Sequence, residues 1–391
     1  MYKISIVFKG LRSFLLLWAT QAFSTLGSSM TSYALIIWSY EQKGSALMTA
    51  LLAVCSYAPY VILSIFAGAM SDRWNRKKIL LFCDSAAAAS TLTILFLLHT
   101  GALQIWHLYL LNALNGFMNT IQQPASDVMT SLLAPKEQYQ RVGGMQSFSN
   151  SLVTILTPVI ATAFLMLAGI RAVLLFDLVT FGVAVITLAF FIRIPEVSIS
   201  EAKTQRKESL LKAAGEGLGY LKKNRGILTL ILFLAAINLI ASIYNAALPA
   251  MLLSREGGGR EALGWVNTCT GVATILGSVW ATFSKPPKSR VRVICNALFF
   301  SMSTENFFLA FGRSTPVWCV GALLGWIAVP IMNTNMSTLL RTYIPIEMQG
   351  RVYSARNTLQ FFTIPGAIFW AAFSWIMYLK FTWQSRGQEA F

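Results

Sequence analysis

Residues 68–80 read GAMSDRWNRKKIL, from Gly68 to Leu80. An apolar run of more than twenty residues ends at Gly68–Met70, and Ile79 opens another. Between them lies a short loop crowded with Asp72, Arg73, Arg76, Lys77 and Lys78. A tight cationic loop between two membrane-length segments is an orientation signal, because Lys and Arg accumulate on the cytoplasmic side. The loop is therefore expected to face the cytosol. Gly68 and Ala69 are small enough for two helices to approach closely just before the turn.

The rest of the chain has the same character. Of 391 residues, 55% are hydrophobic and only 12% charged, with a mean hydropathy of +0.60. A soluble domain is about a quarter charged, so the composition indicates a polytopic membrane protein. The net charge of +16 does not indicate a nucleic-acid partner, because the cations sit in short loops of alternating density and form no single basic face. Five cysteines, all inside apolar segments, make no disulfide framework. The two histidines, His99 and His107, lack the companions a metal site needs. No G-x-x-x-x-G-K-[ST] occurs, so nucleotide hydrolysis by a P-loop is excluded.

About eleven segments are long enough to span: 12–38, 46–70, 78–98, 103–128, 143–168, 171–193, 227–253, 261–283, 292–312, 316–340 and 352–379. The first could pass for a signal peptide, but its apolar pattern continues to Trp38 and reads as a retained helix. With the N-terminus inside, the inner loops hold most of the 31 Lys and Arg residues. The longest polar stretch, Pro195 to Arg225, divides the chain. Within it Leu210, Leu211, Ala214, Leu218 and Leu221 fall near helical spacing, which predicts an amphipathic helix on the inner surface.

The two sides of that divide echo each other. Pro135-x-Glu137-x-x-x-Arg141-Val142 recurs as Pro345-x-Glu347-x-x-x-Arg351-Val352, offset by 210 residues, in the loops after segments four and ten. Gly277, followed by Lys285, Lys288, Arg290 and Arg292, looks like a decayed second copy of the opening stretch without its Asp. Polar residues inside spans are costly and hence informative. In segment four Asn112, Asn115, Asn119 and Gln122 share one helix face. Gln21, Ser24, Thr25 and Ser28 form a stripe in segment one; Asn238, Ser242 and Asn245 lie in segment seven, and Asn333 and Asn335 in segment ten. Such stripes either line a cavity or join packed helices. Asp177 in segment six and Glu305 in segment nine have no basic neighbour in sequence. A carboxyl taken out of water in this way can exchange protons near neutral pH, or can serve as a hydrogen-bonded helix contact.

The opening stretch resembles the signature that the major facilitator superfamily carries between its second and third helices: Gly, an Asp-Arg pair, a second Gly and a basic cluster. Gly68, Asp72, Arg73, Arg76 and Lys77 match, and Asn75 stands where the second Gly is usual; Asn tolerates the left-handed turn better than most residues. The linker is similar to that of macrolide-efflux-type facilitators, with E-G-x-x-x-L followed by basic residues and Asn. The resemblance implies an all-α integral membrane protein with the major-facilitator fold, two pseudo-repeated bundles of helices. The divisions would be a six-helix bundle over 1–193, a cytoplasmic linker over 194–226 and a second bundle over 227–391. That second bundle shows about five spans where the family has six: after segment eleven only FTWQSRGQEAF remains, too short and polar to span, so a truncated product or a replaced last helix is expected.

The resemblance also implies a gating group. Asp72 would face the N-terminus of helix eleven near Gly350–Tyr353, beside Arg351, and stabilise the outward-facing state. Asp84 and Asp127 would pair with Arg73, Arg76 or Lys77. Segments one, four, seven and ten line the cavity in this family, so Gln21, Ser28, Asn112, Asn115, Asn119, Gln122, Asn238, Asn245 and Asn333 become cavity candidates, with Asp177 and Glu305 as the proton-coupling pair. Two departures stand out: Asn115 occupies the place of the Arg many proton-coupled facilitators have in helix four, and Thr157-Pro158 is followed by Val-Ile-Ala instead of the antiporter glycines. The implied protein is no enzyme. It is a multi-pass exporter of the cell membrane, N-terminus cytoplasmic and monomeric, moving a small amphiphilic drug of macrolide type by proton-coupled alternating access. Its partners would be that substrate and the lipid bilayer, with no nucleic acid; it would need no cofactor and no metal, the proton gradient supplying the energy. Export of a siderophore or another amphiphilic metabolite, and a truncated membrane protein without transport, are the alternatives.

Overall fold

In a computed structural model of the chain, residues 11–43, 46–192, 210–255 and 257–361 are described, except for the side chains of 43, 46–50, 53, 57, 61, 65, 69, 72, 73, 210, 211, 213, 214, 245–247, 249, 250, 253, 254, 260 and 361. Helices run α1 Arg12–Lys43, α2 Ala46–Arg73, α3 Arg76–His99, α4 Ile105–Leu133 and α5 Tyr139–Ile186. They continue with α6 Leu210–Lys223, α7 Arg225–Ser254, α8 Arg260–Phe283, α9 Arg290–Phe311, α10 Thr315–Tyr343 and α11 Ile346–Phe361. In a bilayer a helix satisfies every backbone group within its own segment, and α3, α5 and α7 to α10 all contain windows apolar and long enough to cross. α5 carries two crossings, because its helical φ/ψ break at Gly169 (φ 73°), a left-handed angle that favours glycine. That break falls in the gap between the expected segments five and six.

The ends of the helices are local devices. Asn75 is not the left-handed turn residue expected of it: its φ is −64° and ψ 115°, and its side chain caps α3 by accepting from the Lys77 and Lys78 amides at 3.0 and 3.3 Å. The two loops that share the Pro-x-Glu pattern fold alike. Gln138 N–H donates to the Pro135 carbonyl and Met348 N–H to the Pro345 carbonyl, each at 2.9 Å. The 210-residue echo is thus structural.

Within the first half α1 packs on α5, α2 and α3 on α4; within the second α8 and α9 pack on α10. The halves meet along α2 with α11 and along α5 with α8 and α10. Both seams are backbone-close. A Cβ on Gly68 would strike the Gly350 carbonyl and lie 2.6 Å from Ser354 Oγ; one on Gly144 would lie 2.7 Å from Thr282 N and Cα. These contacts are related by the same offset, Ser354 to Gly144. The repeat counterpart of the opening stretch in the second half is accordingly the Ser278–Thr282 end of α8. Gly277, one position before that end, packs on Ile327 of α10 in its own half. The end of the molecule holding the α2–α3, α4–α5 and α10–α11 loops is called the basic end below.

α6 lies against α2, α7 and α11. Leu221 is fully buried in a core cluster with Leu230, Leu340 and Val352, with Leu218 at its edge. The expected surface helix is therefore docked on protein by its apolar face.

Candidate functional site

The halves are held together at the basic end by a set of polar contacts. Arg341, in the last turn of α10 and almost fully buried, donates from Nη2 to Gln146 Oε1 of α5 at 2.8 Å and sits 3.6 Å from Asp127 Oδ1 of α4. Nearby, Gln140 Nε2 of α5 donates to the Ser284 carbonyl and Oγ, both at 3.0 Å. Arg290 Nη1 completes the group, donating to Gln140 Oε1 at 3.0 Å and to Asn335 Oδ1 at 3.1 Å. Farther in, Ser64 and Thr358 join α2 to α11 at 2.7 Å, Ser151 and Ser278 join α5 to α8 at 3.5 Å, and a Cβ on Gly271 would lie 2.8 Å from the Ile155 side chain. Closure thus runs from the basic end to about the middle of α5 and α8.

Several expected pairings differ. Asp127 finds Arg341, which sequence reasoning passed over, instead of a cation of the α2–α3 loop. A π-helical turn, Thr187–Phe191, continues the second arm of α5, and Lys77 caps its end by donating Nζ to the Ala189 and Ile192 carbonyls, each at 2.9 Å, the favourable place for a cation. Arg351 ion-pairs with Glu216 of α6, fastening the linker helix to α11. The side chains of Asp72 and Arg73 lie outside the described residues; the backbone contact of Gly68 with Gly350 brings that end of α2 to the start of α11.

Asp84 departs furthest from expectation. It is 3% exposed, and instead of a cation it takes two amides: Gln122 Nε2 of α4 donates to Oδ1 at 2.6 Å and Gln21 Nε2 of α1 to Oδ2 at 3.0 Å. Asp177, 1% exposed, accepts from three hydroxyls, Thr31 at 2.9 Å, Thr91 at 3.0 Å and Ser28 at 3.3 Å. Glu305 Oε1 accepts from Tyr244 OH and Trp326 Nε1, both at 2.6 Å. Among the described residues neither Asp177 nor Glu305 has an ionic partner, and each ties together helices adjacent to its own, α1 and α3 or α7 and α10.

The remaining cavity candidates divide. Asn112 Nδ2 is spent on the Leu108 carbonyl of its own helix at 2.9 Å. Asn115 Oδ1 is buried without a partner among the described residues, an acceptor left for a ligand or water. Asn119 and Asn333 are exposed, Asn238 is half-buried, and the side chain of Asn245 lies outside the described residues. Asn335 belongs to the closure with Arg290. The signal for Arg341 in sequence was a cation just past the end of segment ten, on one stripe with Asn335 and Thr338.

A family model of the Major Facilitator Superfamily matches residues 17–369. The chain belongs to the Major Facilitator Superfamily. Macrolide efflux protein A of Streptococcus pyogenes is 24% identical over 367 residues, 92% of this chain and 89% of that one. Enterobactin exporter EntS of Shigella boydii is 23% identical over 303 residues, 74% of this chain and 68% of that one. Among solved structures, that of a bacterial homologue of the iron transporter ferroportin, in an outward-facing state, superposes with a TM-score of 0.69 at 16% identity, covering 90% of both chains. At that identity the likeness speaks for the fold of this superfamily member alone.

Proposed function

We propose that this chain exports small amphiphilic molecules, macrolide-like antibiotics among them, by proton-coupled alternating access. The observation that carries the reading is the closure of the two bundles at the basic end. A transporter that alternates must hold one end shut by contacts made in one state and broken in the other. Serine, threonine, glutamine and arginine pairs across glycine-thin seams suit such a reversible joint, where an apolar core would resist opening. With the basic end cytoplasmic, as the loop cations require, this is the outward-facing state. The exporters among the relatives support the direction. The amide-bearing stripes of α1 and α4 and the scarcity of charge suit a bulky amphiphile better than a sugar or a multiply charged metabolite.

In this reading residues 1–193 and 227–391 are the moving bodies, 194–226 the linker between them, and the protein works as a monomer in the cell membrane with its N-terminus inside. The enterobactin exporter among the relatives makes siderophore export the second reading.

Accumulation of a fluorescent macrolide in cells expressing the chain, with and without a protonophore, tests both function and gate. Expression is expected to lower accumulation, the protonophore to restore it, and Asp72→Asn to lose most of the effect. Unchanged accumulation of a broad drug panel by membrane-inserted protein would sink the drug-export reading.

The coupling residues can be tested separately. Asp177→Asn and Glu305→Gln keep the size of each side chain and remove a proton-exchanging group. In proteoliposomes with an imposed pH gradient, at least one is expected to lower uphill transport tenfold or more while leaving ligand binding within about twofold. Wild-type rates in both variants would place coupling elsewhere.

A further inference from the structure

The basic motif is where sequence places Asp84, and the structure instead puts it behind two polar residues of α1 and α4. Both glutamines spend an amide N–H on its carboxylate. An amide that gives its nitrogen to an acid must turn its carbonyl oxygen elsewhere. Neither Gln21 Oε1 nor Gln122 Oε1 has a hydrogen-bond partner among the described residues, and neither is sealed from solvent, unlike the Asn115 oxygen two turns along α4. Gln21 and Gln122 are half-buried whereas Asp84 is buried. The carboxylate thus forms the back of the group and two amide oxygens its open front.

We propose that Asp84 is a positioning residue for ligand recognition: it holds Gln21 and Gln122 by their nitrogens, and so presents their two carbonyl oxygens as an acceptor pair for the N–H of a protonated amine on an amphiphilic ligand. This rests on the reading of the chain as a carrier of amphiphiles and names the substrate chemistry that reading leaves open. A cation is favoured over a neutral hydroxyl because the carboxylate has no ionic partner among the described residues. Lys77, two turns earlier on α3, is engaged by the Ala189 and Ile192 carbonyls, and the adjacent Cys83 brings no positive charge. A ligand ammonium at the front supplies the missing positive charge through the polarised amides. The donor matters as much as the charge, since carbonyl oxygens reward an N–H and merely tolerate a methyl group.

The test compares two cations with the same tail and charge. Dimethyldodecylammonium has one N–H; dodecyltrimethylammonium has none. Binding is measured by titration calorimetry to the full chain in lipid nanodiscs, with empty nanodiscs as background, and transport of both in proteoliposomes. The wild type is expected to prefer the N–H-bearing cation by tenfold or more. Asp84→Asn supplies a donor where the carboxylate had none, so at least one glutamine turns its nitrogen outward, and the preference should collapse to about twofold or less. Gln21→Met and Gln122→Met, which keep the side-chain length, should each lower it too, and they decide the matter if Asp84→Asn fails to fold. An unchanged preference in a folded Asp84→Asn protein, or in both Met variants, overturns the proposal while transport of both cations leaves the exporter reading standing. Failure of the wild type to bind or carry either cation overturns the amphiphile reading and this proposal with it.

Discussion

Gly68→Val is expected to leave the protein unable to close its basic end. The atom in the way is the Gly350 carbonyl oxygen, part of the α11 backbone, with Ser354 Oγ behind it. Side chains can rotate away from an intruding methyl, but a helix backbone can yield only by moving as a whole. Overpacking of this kind costs about 1–3 kcal/mol even where side chains absorb it, and here the whole cost falls on the closed state, because only that state brings α2 onto α11. At about 1.4 kcal/mol per factor of ten, the closed population should drop by tenfold or more. The check is a cysteine placed at Ser64, buried in the seam beside Thr358, in a background freed of the native cysteines. Its rate of alkylation by a maleimide added at the basic end should rise at least tenfold in the valine variant, less with Gly68→Ala, and transport should be lost in step. Wild-type alkylation and transport with valine in place would mean that the seam does not gate.

The second large effect is expected at Arg341. Arg341→Met keeps the apolar length of the side chain and removes its hydrogen bond to Gln146 and its pairing with Asp127. Removing one partner of a fully buried pair costs about 3–5 kcal/mol. The loss here should be smaller, about 1–3 kcal/mol, because Asp127 keeps 19% of its side-chain surface exposed and the ions stand 3.6 Å apart. It should appear as a lower thermal midpoint in nanodiscs and as faster opening of the basic end. Asp127→Asn in the same background should return part of the loss, since the stranded charge is then gone. A double-mutant cycle isolates that coupling; strict additivity would show that Asp127 and Arg341 do not work as a pair.

Both predictions concern residues related by distance in space that sequence separation conceals. Arg341 and Gln146 lie 195 positions apart, and Gly68 and Gly350 lie 282 apart on different helices. Nothing in local periodicity says which acid a buried arginine will meet. Reasoning from charge alone assigned Asp84 and Asp127 to the nearest basic loop, yet the loop's Lys77 was drawn to the carbonyls at the end of α5 and Asn75 was used as a helix cap. Those local demands, orphan backbone groups at helix ends, compete for the same polar atoms that a pairing argument would spend on acids.

What the amino-acid order determined by itself is everything that lipid imposes on a single segment. The apolar runs had to be helices because unpaired backbone is too costly in hydrocarbon, the turn at Gly169 lay between two such runs, and the Pro-x-Glu repeat marked two loops that do fold alike. The family resemblance was carried by Gly68 and its basic loop, and the polar stripes of α1 and α4 were visible at helical spacing. Only the tertiary structure decided that Gly68 abuts Gly350, that Gly277 belongs to an internal seam, that α6 is clamped to α11 through Glu216, and that Asp84 stands behind two glutamines. The reason is that helix packing brings together side chains chosen by shape and crossing position, and a helix viewed alone carries its face but not the identity of the helix that will cover it.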